Sequence, residues 1–210
     1  KSSKADAIKF QTAVPEEVAT KFAQKADYQK EKTKNSKTQL EMIKEIHLPL
    51  EQYKLLKKEC DSVGIEFLSS PFDLTSVNFL ANLGMSKFKV PSGEITNFPY
   101  LKLIGEQRKP TILSTGMANM NEIKEAVKVL LDSGLSKQDL TIMHCTTEYP
   151  TPIEEVNLNA MLGIKEEFQV AIGYSDHTEG HEVALAAVAM GAKTIEKHFT
   201  LDRSLPGPDH

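Results

Sequence analysis

The sequence predicts an α/β chain that folds as a (β/α)8 TIM barrel, apparently without its first strand. Two observations predict it. Short apolar runs alternate with longer segments of helical periodicity, the pattern of a parallel sheet with right-handed crossovers. Nearly every run then ends in polar or turn residues, as strands do when their ends converge on one barrel mouth. An open sheet would gather only two or three such ends at its switch point.

The strand-like runs are 7–12, 65–71, 88–92, 111–115, 141–146, 171–175 and 194–200. That is seven strands where closure needs eight. Helical periodicity covers 50–63, 74–83, 121–133 and 179–190. In the third segment Ile123, Ala126, Val127, Val129, Leu130 and Leu131 form one apolar stripe. Gly84, Gly134 and Gly191 follow helical segments where a left-handed cap is expected. The polar ends are Gln11-Thr12, Ser69-Ser70-Pro71, Pro91-Ser92-Gly93-Glu94, Ser114-Thr115-Gly116, His144-Cys145-Thr146-Thr147, Ser175-Asp176-His177 and His198-Phe199-Thr200.

Length and composition fit this reading. The 210 residues suffice for one domain with a real core, so residues 1–210 are expected to form a single catalytic barrel domain. The net charge of -4 disfavours nucleic acid as the main partner, because phosphate binding needs a basic surface. No apolar run reaches the ~18 residues of a membrane span, and no signal peptide is visible. Cys60 and Cys145 form no disulfide framework, which suits the reducing cytoplasm, and each reads as a small buried hydrophobe. The start without Met and the stop at Pro206-Gly207-Pro208-Asp209-His210 predict a piece of a longer protein.

Residues 21–44 hold seven lysines against Asp27, Glu31 and Glu41. A solvated loop and helix is the first expectation, and a mobile basic loop near an anionic substrate the alternative.

Lys9 and Lys89 sit amid apolar strand neighbours, where a lone charge is costly. Two such lysines on strands lining one barrel point to a phosphate or carboxylate held between point charges. Hydroxyls of Ser70, Ser92 and Ser175 could complete an anion cradle, although each alone reads as a turn residue. His177 and His198 end successive runs. Two imidazoles on adjacent strands can share a divalent metal, and with water and oxygen ligands completing the shell Mn or Mg is expected over structural zinc. Acid–base catalysis is the competing role. Glu94 and Asp209 could accept hydrogen bonds from sugar hydroxyls, and Tyr149 could face the same mouth. Helix N-terminal charge is the simpler reading of Glu94, and a terminal loop that of Asp209. His47, His144, His181 and His210 receive no catalytic role.

At this point the motifs become specific. Lys9-Phe10-Gln11-Thr12, Ser69-Ser70-Pro71-Phe72-Asp73, Lys89 with Ser92-Gly93-Glu94, Leu113-Ser114-Thr115-Gly116-Met117, His144 through Pro152, Ser175-Asp176-His177-Thr178 and Glu196 through His210 resemble the sialic acid synthase family in order and spacing. That family includes N-acetylneuraminate, N,N'-diacetyllegionaminate and pseudaminate synthases, which condense phosphoenolpyruvate with an N-acylated amino sugar.

The resemblance implies a set of roles. Lys9, Ser70, Lys89, Ser92 and Ser175 match positions that hold phosphoenolpyruvate. His177 and His198 match the metal ligands, and Gln11, Glu94, Tyr149 and Asp209 match positions that contact the sugar. Thr147 departs from the asparagine of some N-acetylneuraminate synthases. The loop from Thr146 to Pro152 and the Ala26-Asp27-Tyr28-Gln29 segment look more like the legionaminate branch. The implied chemistry is aldol-like: carbon 3 of phosphoenolpyruvate attacks a metal-polarised aldehyde, water adds at carbon 2, and phosphate leaves by carbon–oxygen cleavage. Two family features are missing: a first strand with Glu-Ile-Gly and an Asn-His pair, and a C-terminal antifreeze-like domain that gives an arginine to the partner subunit in a homodimer.

Two other classes stay open. A related enzyme condensing phosphoenolpyruvate with a sugar phosphate would need an Arg-rich second phosphate site, and Arg108 and Arg203 are the only arginines. A non-catalytic sugar-binding or interaction module derived from a synthase is the other.

Overall fold

The computed structural model describes residues 2–32 and 38–205. The chain divides into two compact units, with the border between Lys89 and Val90. The parallel α/β architecture expected from the alternation is present in both.

The first unit pairs β1 (Ala7–Thr12) in parallel with β2 (Glu66–Pro71). Between them run α1 (Pro15–Val18), α2 (Asp27–Lys32), α3 (Gln39–Ile46) and α4 (Leu50–Val63); α5 (Leu74–Asn82) follows β2. Local chemistry sets the ends. Thr38 and Glu41 form a reciprocal capping box on α3. Asp73 caps α5 by accepting from Ser76 N at 2.6 Å and also accepts from Val14 N at 2.7 Å, which ties the exits of β1 and β2 together. Tyr53 of α4 donates its hydroxyl to the Gln11 carbonyl. Tyr53, Phe67, Val77, Leu80 and Met85 are buried in this unit.

The second unit carries most of a five-stranded sheet of order β3 (Phe88–Val90), β4 (Thr111–Ser114), β5 (Leu140–Cys145), β6 (Ala171–Asp176) and β7 (Thr194–Lys197). The pairs β4–β5, β5–β6 and β6–β7 are parallel. Their connections contain α6 (Phe98–Glu106), α7 (Met120–Asp132), α8 (Asn159–Phe168) and α9 (Glu182–Ala189). α7 buries Ile123, Ala126, Val127 and Leu130, the centre of the expected stripe, and Asn119 with Glu122 caps it reciprocally.

All seven strand-like runs are strands, and all but the first have altered ends. β3 stops at Val90 because Pro91 has no N–H to continue a ladder, and Ser92–Glu94 turns as a 3-10 segment instead. β7 stops at Lys197, so His198 lies just past the strand rather than within it. The helical segment expected from 179 begins at Glu182, since Gly180 takes a φ of +76°. Gly84, Gly134 and Gly191 all have positive φ at the helix exits, as expected.

The lysine-rich stretch resolves into α2 and α3 around residues 33–37, which lie outside the described residues with Lys34 and Lys37. Lys30 pairs with Asp27 at 2.6 Å and Lys44 with Glu16 at 2.6 Å. Lys25 is buried, contrary to a uniformly solvated stretch. Among the described residues no helix is long and apolar enough to cross a membrane.

Candidate active site

Strand alternation sorts the first unit's polar residues onto two faces. Phe10 stacks on Phe67 with ring centroids 5.6 Å apart, and Thr12 Oγ1 lies 2.6 Å from Ser69 Oγ, so these four share one face. Lys9 and Gln11 register opposite Leu68 and Ser70 and therefore share the other. Ser70 is fully buried, and its hydroxyl has no hydrogen-bond partner. A buried hydroxyl left unsatisfied costs about 1–3 kcal/mol, so such an atom on the face of Lys9 is a reason to expect a ligand there. Lys89 is 3% exposed in the middle of β3. Its placement agrees with the reading of an interior strand lysine.

In the second unit the register carries a row of polar side chains across the C-terminal ends of β5, β6 and β7. Cys145 pairs with Ser175, and Ser175 pairs with Glu196. Ser92 Oγ lies 3.4 Å from Cys145 Sγ, and Ser175 Oγ donates to Glu196 Oε1 at 3.3 Å. Ser92 and Ser175 thus flank the same thiol. Gly116 N donates to Ser92 Oγ at 2.9 Å. A Cβ at Gly116 would come within 2.5 Å of Thr147 Cγ2 and 2.9 Å of Cys145 Sγ, so only glycine lets the backbone approach this closely.

Two residues beyond Ser175 and Glu196, just past the ends of β6 and β7, His177 and His198 stand side by side. Their rings meet edge to face, with centroids 5.4 Å apart. Tyr149 packs against both, 4.3 Å from the His177 ring and 5.7 Å from the His198 ring. The loop bearing Tyr149 is held to β6 by Thr151 N, which donates to the His177 carbonyl at 2.9 Å, and by His177 Nδ1, 2.6 Å from the Thr146 carbonyl. A carbonyl can only accept, so Nδ1 carries the proton in the neutral ring and Nε2 presents its lone pair. Ser175 Oγ lies 3.4 Å from that Nε2.

This donor set suits a metal that shares its shell with water and substrate oxygens. One imidazole has its tautomer fixed by a carbonyl, as metal-binding histidines usually do, and a second stands beside it. Among the described residues no group of three or more His, Cys, Asp and Glu side chains able to hold a metal occurs, and the two imidazoles could offer two ligands to an ion whose other ligands come from elsewhere.

Behind this face, Asp176 and Lys197 point the opposite way. Asp176 Oδ1 accepts from Thr178 N at 2.9 Å and Thr178 Oγ1 at 2.7 Å, and Oδ2 accepts from Lys197 Nζ at 2.9 Å. Burial opposes ionisation of Asp176, but these hydrogen bonds and the ammonium outweigh it and hold the carboxyl below its ordinary range. Burial, helped by the Asp176 charge, pushes the neighbouring Tyr174 hydroxyl up to about 12.

The remaining expected residues are more scattered. Glu94 is half-buried and accepts from Asn97 Nδ2 at 2.7 Å just before α6. Asp209 lies outside the described residues, as does the Pro206–Pro208 segment beside it. Cys145, Gly116 and Glu196 were not expected to matter; strand register sets Cys145 and Glu196 beside Ser175, and a hydrogen bond sets Gly116 beside Ser92.

The chain belongs to the NeuB family, whose model matches residues 1–210. It is 51% identical over 99% of its length to N,N'-diacetyllegionaminic acid synthase of Campylobacter jejuni, and 48% identical over 100% of its length to the protein of that name from Legionella pneumophila. It covers 62% and 60% of those proteins, so it spans about three-fifths of the curated relatives it matches. The crystal structure of N-acetylneuraminic acid synthetase from Leptospira borgpetersenii, in complex with citrate, matches with a TM-score of 0.84 at 33% identity, over 99% of this chain and 67% of that one.

Proposed function

We propose that the protein condenses phosphoenolpyruvate with an N-acylated amino sugar to give a nine-carbon sialic-acid-type sugar and phosphate. The observation that carries this is the Ser175, His177, Glu196 and His198 face with Tyr149 packed over both imidazoles. The names of the two legionaminic acid synthases favour a 2,4-diacetamido-trideoxy hexose over N-acetylmannosamine as the sugar.

In this reading Lys9 and Lys89 neutralise the phosphoenolpyruvate anion and fix the enol, with Ser70, Ser92 and Ser175 as hydroxyl donors. His177 and His198 would hold Mn or Mg, which supplies Lewis acidity for an aldehyde oxygen. Tyr149 restricts how the sugar approaches the imidazoles, and Gln11, Glu94 and Asp209 would take its hydroxyl and amide groups. The architecture proposed is a single (β/α)8 catalytic domain in a cytoplasmic homodimer. The match to the solved synthetase supports the barrel, and the two buried free thiols suit a reducing compartment.

The test is a mass-spectrometric product assay on the full-length protein with phosphoenolpyruvate, Mn or Mg, and each sugar in turn. Release of phosphate together with a nine-carbon acid from the diacetamido sugar is expected. No product from either sugar overturns the reading.

A further inference from the structure

Asp176 and Lys197 are the residues immediately before His177 and His198, and they are register partners on β6 and β7. The Lys197 ammonium makes two contacts, to Asp176 Oδ2 at 2.9 Å and to the Thr178 carbonyl at 2.7 Å. It therefore grips the residue on each side of His177 while its own backbone leads into His198. The Asp176 side chain is completely buried, and Thr178 fills its other oxygen through backbone N–H and hydroxyl. Each strand end is thus pinned to the other from the face away from the imidazoles. Among the described residues, the side-chain hydrogen bonds of Lys197 run to Asp176 and Thr178.

We propose that the Asp176–Lys197–Thr178 strap positions the two imidazoles for joint metal binding, and that Lys197 is its key residue. This rests on the reading of His177 and His198 as metal ligands. A strap of this kind holds both nitrogens in place before the ion arrives, so the ion need not order two strand ends that end in loops. Its loss should weaken the metal selectively and leave the phosphoenolpyruvate anion site unchanged.

The experiment measures Mn2+ affinity by the paramagnetic resonance of free Mn2+, and metal-free phosphoenolpyruvate affinity by calorimetry, in the full-length protein. Wild type is compared with His177→Ala, Lys197→Met and Lys197→Arg. Lys197→Met is expected to weaken Mn2+ by about tenfold, the scale seen when groups supporting metal ligands are removed, with phosphoenolpyruvate affinity within about twofold of wild type. Lys197→Arg keeps a cation with several donors and should recover most of the Mn2+ affinity. If Lys197→Met does not fold, the charge-free pair Asp176→Asn with Lys197→Gln takes its place in the same comparison. Mn2+ affinity unchanged in either, or both ligands weakened alike, overturns the strap. Wild-type Mn2+ binding that His177→Ala leaves intact overturns the metal assignment itself, and is distinguishable because it fails before any strap variant is read.

Discussion

His177 Nδ1 lies 2.6 Å from the carbonyl oxygen of Thr146. This contact decides the tautomer, because the carbonyl has no proton to give. At pH 8, long-range proton–nitrogen NMR should therefore show His177 protonated at Nδ1 and not at Nε2. Added Mn2+ should broaden the His177 and His198 signals together. A His177 ring protonated at Nε2 would remove the geometric basis of the metal assignment.

Ser70 makes a sharper test of the anion site. Its hydroxyl is buried without a partner, so Ser70→Ala removes a desolvated group that the ligand-free protein does not use. The melting temperature should stay level or rise. Phosphoenolpyruvate binding should fall by about 1.5 kcal/mol, roughly tenfold, as for a hydrogen bond to a charged group. A drop in stability with affinity unchanged would make Ser70 an ordinary packing residue.

Lys89 is the stronger of the anchors proposed for phosphoenolpyruvate. Burying an ammonium at 3% exposure is costly unless an anion or acceptor meets it. Lys89→Ala should weaken phosphoenolpyruvate by about 1.5–3 kcal/mol and leave sugar affinity near wild type in calorimetry. Equal losses for both substrates would indicate a damaged fold instead.

How legible the site is depends on what each residue needs in order to be recognised. Lys9, Lys89 and the two histidines stand out because a charge inside an apolar strand, or an imidazole at a strand end, is conspicuous in one dimension. Strand placement also reads well, since period and turn residues are local: β1 is found residue for residue. Glu196 and Cys145 do not stand out, because their significance is a register partner on a neighbouring strand, Ser175 for both, 21 and 30 residues away along the chain. Asp176 and Lys197 look like surface charges in the sequence, and only the parallel pairing of β6 with β7 turns them into an ion pair. The strand ends fail for a different reason. Pro91 cuts β3 by removing a donor, while the apolar pattern runs on past it.

The pH dependence of stability turns on two other histidines. His144 and His47 have their ionisation pushed below the ordinary range, in both cases chiefly by burial. His144 Nε2 and both ring nitrogens of His47 are buried without partners, so neither ring can accept a proton without charging a desolvated site. The unfolded chain, with an ordinary pKa of about 6.5, takes up those protons first. Between the folded and unfolded values the unfolded state therefore binds more protons, and stability falls as pH drops below about 6.5. His144→Phe keeps an aromatic ring beside Tyr174, whose centroid is 5.8 Å away, and cannot be protonated. The melting temperature of this variant should change less between pH 7.5 and pH 5.5 than that of wild type. Adding His47→Phe should flatten the profile further. A pH profile unchanged in the double variant would mean that neither imidazole is kept neutral by the fold, and that acid sensitivity arises among the carboxylates.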